Sequence, residues 1–141
     1  MVDNSILSTK YIYKALGNST ELTSLVDKDN IFPLLAKVRV NPKTGKEEDI
    51  KFPFIVYSRT SLTPIYTKDI LTDNEITIQI VCVSDDYTNS LDVANAVRHA
   101  LEGKNAKVDG ITISRIKLIS VLESTYEDAY IQTLTFRYNT I

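Results

Sequence analysis

One cysteine, one histidine and no tryptophan in 141 residues leave little material for the chemistry that sequence motifs most often announce. Cys82 alone cannot form an internal disulfide, and without a Cys/His cluster no zinc site can be written. The four glycines, at positions 17, 45, 103 and 110, are too dispersed for a Walker-type phosphate loop or a dinucleotide fingerprint. No run approaches the roughly 18 apolar residues of a membrane span. Residues 1–13 carry no basic segment followed by an apolar block, which predicts synthesis in a cytoplasm. A formal charge of -2, from sixteen basic and eighteen acidic side chains, creates no field toward nucleic acid or an anionic membrane. No membrane and no sequence-specific nucleic acid is expected as a partner, and any contact with a polyanion would have to be local.

What is present reads as an ordinary soluble domain, 43% apolar and 24% charged. Its length suits a single domain over residues 1–141 that buries roughly two-thirds of its unfolded surface. Eight tyrosines and few prolines predict a strand-rich chain. The organising stretch is 75–103. Ile76, Ile78, Ile80 and Cys82 alternate with Thr77, Gln79, Val81 and Val83, the period of a pleated strand with the first set in the core. Cys82 is then a small buried hydrophobe. A polar turn leads into a helix whose Val93, Val97, Ala100 and Leu101, with Ala94 beside them and Leu91 at the margin, form one apolar stripe. Gly103 sits where a left-handed cap is expected.

The spacing of Ile6, Leu7, Tyr11, Ile12, Ala15 and Leu16 predicts a helix over 5–16, opened by Asp3 or Asn4 and stopped by Gly17. Asn18 and Glu21 form a capping-box-like start to a second short helix through Leu25. Ile31-Phe32-Pro33-Leu34-Leu35, interrupted by proline, reads as an extended edge piece. Residues 37–52 read as a hairpin turned by Asn41-Pro42-Lys43-Thr44-Gly45, with Val38 and Val40 facing Ile50 and Phe52. Its outer side would set Lys37 and Arg39 against Glu47, Glu48 and Asp49, either as a solvated excursion or as an arm touching a neighbouring subunit. A second core strand begins at Pro53 and ends ahead of Pro64, and a connection over 64–74 closes in Thr72-Asp73-Asn74. After a turn at Val108-Asp109-Gly110, residues 111–122 alternate with a change of phase, which a bulge near Ser114-Arg115 or burial of both faces would reconcile. The last strand, 130–138, places Tyr130, Leu134, Phe136 and Tyr138 on one face around Gln132.

Candidate chemistry is sparse. His99 lies roughly opposite the apolar stripe of its helix and reads as a solvated side chain. Asp85 and Asp86 precede that helix, where carboxylates cap free amides; the competing reading is a divalent ion held with Asp92. Arg115, Lys117 and Arg137 are the nearest approach to a basic patch, without aromatic interleaving.

Taken in order, the chain resembles the tail completion or tail terminator family of long-tailed bacteriophages, small head-tail joining proteins. The resemblance runs through Tyr11-Ile12-Tyr13-Lys14-Ala15-Leu16, the short helix at 20–26, Ile31-Phe32-Pro33, Pro53-Phe54-Ile55-Val56-Tyr57-Ser58 and Tyr66-Thr67. It is densest from Ile76 to Val83 through Asp85-Asp86-Tyr87 into the helix with Leu91, Ala94, Val97 and Leu101, closing on Glu102-Gly103, and it continues through Ile116, Leu118, Tyr126, Leu134 and Phe136. The 37–52 hairpin, long and charged, departs from the pattern. Pattern and resemblance together imply an α+β fold: a mostly antiparallel sheet, a long helix packed on one face, a short N-terminal helical pair and a protruding β-hairpin. The resemblance also implies a virion structural protein that needs no cofactor and performs no covalent chemistry. It would be made in the bacterial host cytoplasm and act at the head-proximal end of the tail, as a homo-oligomeric ring of six between the tail tube protein and the head-tail connector protein. Two other classes compete: a small metal-dependent enzyme using Asp85, Asp86 and His99, and a host adaptor domain.

Overall fold

The computed structural model describes residues 3–37 and 39–141. A 3-10 turn, Ser5–Thr9, leads into α1, Lys10–Gly17, and α2, Thr20–Thr23, follows at once. The strands are β1 (Ile31–Pro33), β2 (Arg39–Val40), β3 (Glu47–Glu48), β4 (Phe54–Thr67) and β5 (Ile70–Ser84). After α3 (Tyr87–Leu101) come β6 (Ala106–Val108), β7 (Ile111–Ile113), β8 (Lys117–Tyr126) and β9 (Ala129–Thr140). The fold is α+β. Its main sheet runs β1-β4-β5-β9-β7-β6 with β8 also on β9; β1 pairs parallel to β4 and the other pairings are antiparallel, so the sheet is mixed.

Alternation in β5 sorts the two faces. Ile76, Ile78, Ile80 and Cys82 are all fully buried, and across the ladder they meet Tyr138, Phe136, Leu134 and Gln132 of β9. Ile55 and Tyr57 of β4 lie opposite Cys82 and Ile80 on the same face. Val93, Ala94, Ala96, Val97 and Leu101 of α3 belong to this core, as do Ile12, Leu16, Leu22 and Val26 from the N-terminal helical pieces. The predicted stripe omits Ala96 and Ser90, both fully buried. Leu91, at its margin, is exposed. On the opposite face Val56, Val81, Thr133 and Leu122 form a row across four strands, outside the core.

Several local expectations are corrected. The cap of α2 is Ser19, whose Oγ accepts from the Leu22 amide at 3.2 Å, because its backbone is extended as a cap requires. Asn18 instead closes α1, donating its amide to the Lys14 carbonyl. Pro64 does not end β4. β1 covers only Ile55, Val56 and Tyr57, so β4 is an edge strand at Pro64 and the missing N–H costs no ladder bond. The strand continues to Thr67, turns through Lys68 and Asp69 at φ 52° and 65°, and returns as β5. Thr72, Asp73 and Asn74 are therefore strand residues.

The halves of 111–122 are not joined by a bulge near Ser114-Arg115. β7 ends at Ile113, and the chain detours so that Ile116 exchanges backbone bonds with Gly103 and Lys104 before β8 begins; the register shift lies between Leu118 and Ser120. Pairing in the 37–52 hairpin is Arg39 with Glu48 and Val40 with Glu47. Val40 therefore does not face Ile50 or Phe52, and the expected contact of Val38 lies outside the described residues. Phe52 stacks on Phe54 at 5.7 Å instead.

Candidate assembly surfaces

The charged hairpin is held by its turn. Asn41 accepts the Lys43 amide on its side chain at 2.9 Å and the Gly45 amide on its carbonyl at 2.8 Å, with Gly45 at φ 67°. Its side-chain amide reaches Glu48 Oε1 at 3.0 Å. Lys37, Glu48 and Asp49 line one small cavity of about 110 Å³ together with Asp27, Asn30 and Phe32, while Glu47 is exposed. Of the five charged residues singled out in the sequence, three thus converge on one pocket and Arg39 pairs through its backbone with Glu48.

The residues of the enzymatic alternative are not brought together. Asp86 accepts the Asn89 amide at 2.8 Å and caps α3. His99 lies thirteen residues further along that helix, about 20 Å away at 1.5 Å per residue. Its Nδ1 stands 3.1 Å from the Glu21 carboxylate, a partner that sequence reasoning missed because Glu21 is contributed by α2. Among the described residues no group of three His, Cys, Asp or Glu side chains is placed to hold a metal. Burial pushes the Cys82 thiol well up from its ordinary range, so it is no nucleophile. Of the basic trio, Lys117 stands directly opposite Arg137 across the ladder, and Arg137 also pairs with Glu75 at 3.6 Å, while Arg115 lies beside Gly103 and Glu102.

Two further surfaces escaped the sequence reading. Beyond Asn74, the last β5 residue paired with β9, the β4–β5 hairpin projects as a two-stranded ribbon with Tyr66, Ile70 and Leu71 exposed. At the other end of the sheet, Tyr87 donates its hydroxyl to Glu123 at 3.1 Å, Gln132 donates to the same carboxylate at 2.9 Å, and the Tyr87 and Tyr130 rings meet edge to face at 5.7 Å. The Glu123 carboxylate holds the Tyr87 phenol above its ordinary range. Gln132 was legible as a polar residue amid an apolar face; its partner Glu123 was not. β8, meanwhile, pairs on one side only and leaves a ten-residue edge open among the described residues.

Among the described residues, an open strand edge on β8 and a projecting β4–β5 ribbon flank a buried apolar core. The chain belongs to the tail completion protein gp17 family, whose profile matches residues 10–141. It is accordingly a virion structural protein of the bacteriophage type. A chain in the virion of a native gene transfer agent particle is similar in fold, with a TM-score of 0.72 at 16% identity, over 92% of this chain and 90% of its own. A second solved chain reaches a TM-score of 0.59 at 10% identity over 94% and 95%. At these identities the likeness is one of fold. No curated protein matches the chain significantly.

Proposed function

We propose that this protein, acting as a single domain over residues 1–141, closes the head-proximal end of a phage tail as a homo-oligomeric ring of six. In this reading it stops polymerisation of the tail tube protein and presents a surface to the head-tail connector protein, with no covalent chemistry. Family membership over nearly the whole chain carries the proposal. The open edge of β8 supports it, since an unpaired strand edge of this length is a template for another chain. Heterologous contacts that close on themselves make rings, and the 37–52 hairpin, with Lys37, Arg39, Glu47, Glu48 and Asp49, is assigned to such a contact.

Mass measurement of the full chain with and without tail tube protein, followed by negative-stain imaging, tests this. Rings with a central hole are expected when tube protein is present. A strict monomer under both conditions would sink the reading.

A further inference from the structure

A ring closed by heterologous contacts needs two different surfaces on each copy, and the inference here rests on that reading. We infer that β8 of one copy pairs antiparallel with the free part of β4 on the next, residues 119–124 against 58–63, so that one sheet runs on from copy to copy.

Both strands have an edge without a neighbour. β1 follows β4 only as far as Tyr57: the Leu34 amide donates to the Tyr57 carbonyl at 2.9 Å, and at Leu34 the chain turns away with φ 66°. Among the described residues nothing pairs with that edge of β4 from Ser58 to Thr67. The outer edge of β8 is bare in the same way. Edge strands of natural proteins are blunted by proline, by bulges or by several charges. Residues 120–126 have no proline, no register shift and one charge, Glu123, and they leave Val121 and Leu122 exposed. Such an edge is open to pairing. On β4, Pro64 has no N–H to give and sets the end of the ladder near Thr63.

Topology makes the two edges complementary. β4, β5, β9 and β8 are consecutive antiparallel strands. Four is an even number, so β4 and β8 run in opposite directions, and a copy turned about a ring axis presents β4 antiparallel to β8 with α3 on the same side of the sheet. One strand more or fewer would set the edges parallel.

Charge fixes the register. Residues 58–67 hold one charged side chain, Arg59, and residues 118–126 one of opposite sign, Glu123. Arg59 lies opposite Ile78, and Glu123 lies opposite Gln132, which faces Cys82, so both project on the core side of the sheet. Each is held by neutral groups of its own chain: Arg59 donates to the Ile6 carbonyl at 3.1 Å, and Glu123 accepts from Tyr87 and Gln132. Within one sheet Glu123 stands level with Cys82 and Arg59 level with Ile78, four residues away along β5. A closed sheet tilted by roughly 35–45° offsets each strand from its neighbour by about one residue, hence about four over four strands. An offset of that size sets Glu123 beside Arg59 of the next copy and carries residues 119–124 past the part of β4 that β1 covers.

Full-length Arg59→Glu and Glu123→Arg, each alone, place like charges side by side and should need at least about tenfold more protein to form rings with tail tube protein, with the thermal transition kept. Combined, they exchange the signs and should restore assembly, which lost contacts within one chain cannot do. Thr60→Cys with Leu122→Cys, both at exposed positions, tests the strands independently of charge. A short bis-maleimide should give a ladder of cross-linked copies that neither single cysteine gives, since Cys82 is buried. Rings that assemble normally in both single reversals, or rings of the cysteine pair that give no ladder, would overturn the strand contact and leave the ring intact. A protein that never forms rings would remove both.

Discussion

The buried side-chain amide of Asn74 donates to the Asp3 carboxylate at 2.6 Å, tying the N-terminal turn to the root of the ribbon. The same amide reaches Ser5 Oγ at 3.0 Å, which also receives the Thr140 hydroxyl at 2.7 Å. Asn74→Ala leaves this polar cluster short of a donor, so it should cost about 1–3 kcal/mol, read from the denaturant midpoint. Asp3 is held below the ordinary carboxylate range, first by the Ser5 hydroxyl, then by Asn74 and the Ser5 amide. A lowered folded-state value stabilises the fold above the unfolded value and is lost as pH falls through the folded one. Acidification below the ordinary range should therefore lower the midpoint, and Asp3→Asn should flatten that limb. An unchanged acid limb in Asp3→Asn would show that the turn is not anchored through its charge.

Asp86 and Asp85 should separate cleanly on mutation. Asp86 accepts an amide at the start of α3, so Asp86→Ala should destabilise by about 1 kcal/mol. Asp85 is exposed and its replacement by alanine should stay within about 0.5 kcal/mol. Ring formation at a temperature where both fold should be unaffected. Loss of assembly in either variant without loss of stability would point to a contact surface there.

Leu34→Gly should raise stability. Leu34 sits at φ 66° in a tight turn closed by the Leu35 amide on the Pro33 carbonyl, a conformation that glycine adopts without a Cβ clash, and its own side chain is largely exposed, so the denaturant midpoint should rise by about 1 kcal/mol. A fall in the midpoint would show that the leucine side chain contributes packing that outweighs the strain.

Cys82 should be silent in the native state. It is fully buried between β4 and β9 neighbours, and its raised pKa leaves almost no thiolate near neutral pH. A disulfide reagent should label it only at the rate at which the core opens, and promptly in denaturant. Fast labelling under native conditions would mean that β5 is exposed by local opening.

These contrasts trace what could be read in advance. Alternation from Ile76 to Cys82, the Val93-Val97-Leu101 stripe and the left-handed Gly103 were legible because strand period, helix period and positive φ are local properties. Pro64 was misread because the cost of a missing N–H depends on whether a strand lies on that side, and β1 stops short of it. The Asn41 turn was legible, but the pairing of Val40 with Glu47 rather than with the apolar residues beyond was not. His99 looked solitary because its carboxylate comes from a helix seventy-eight residues away.

By itself, then, the sequence determined the core face of β5, most of the buried stripe of α3, where that helix is capped and which chemistries have no motif, since each follows from residue type and short-range spacing. Tertiary structure alone decided that 64–74 is a ribbon rather than a loop, that β8 keeps an open edge and that Asp3, Asp73 and Asp109 line one apolar cleft. Those facts depend on which strands lack a neighbour and which distant segments meet, and no local pattern encodes either.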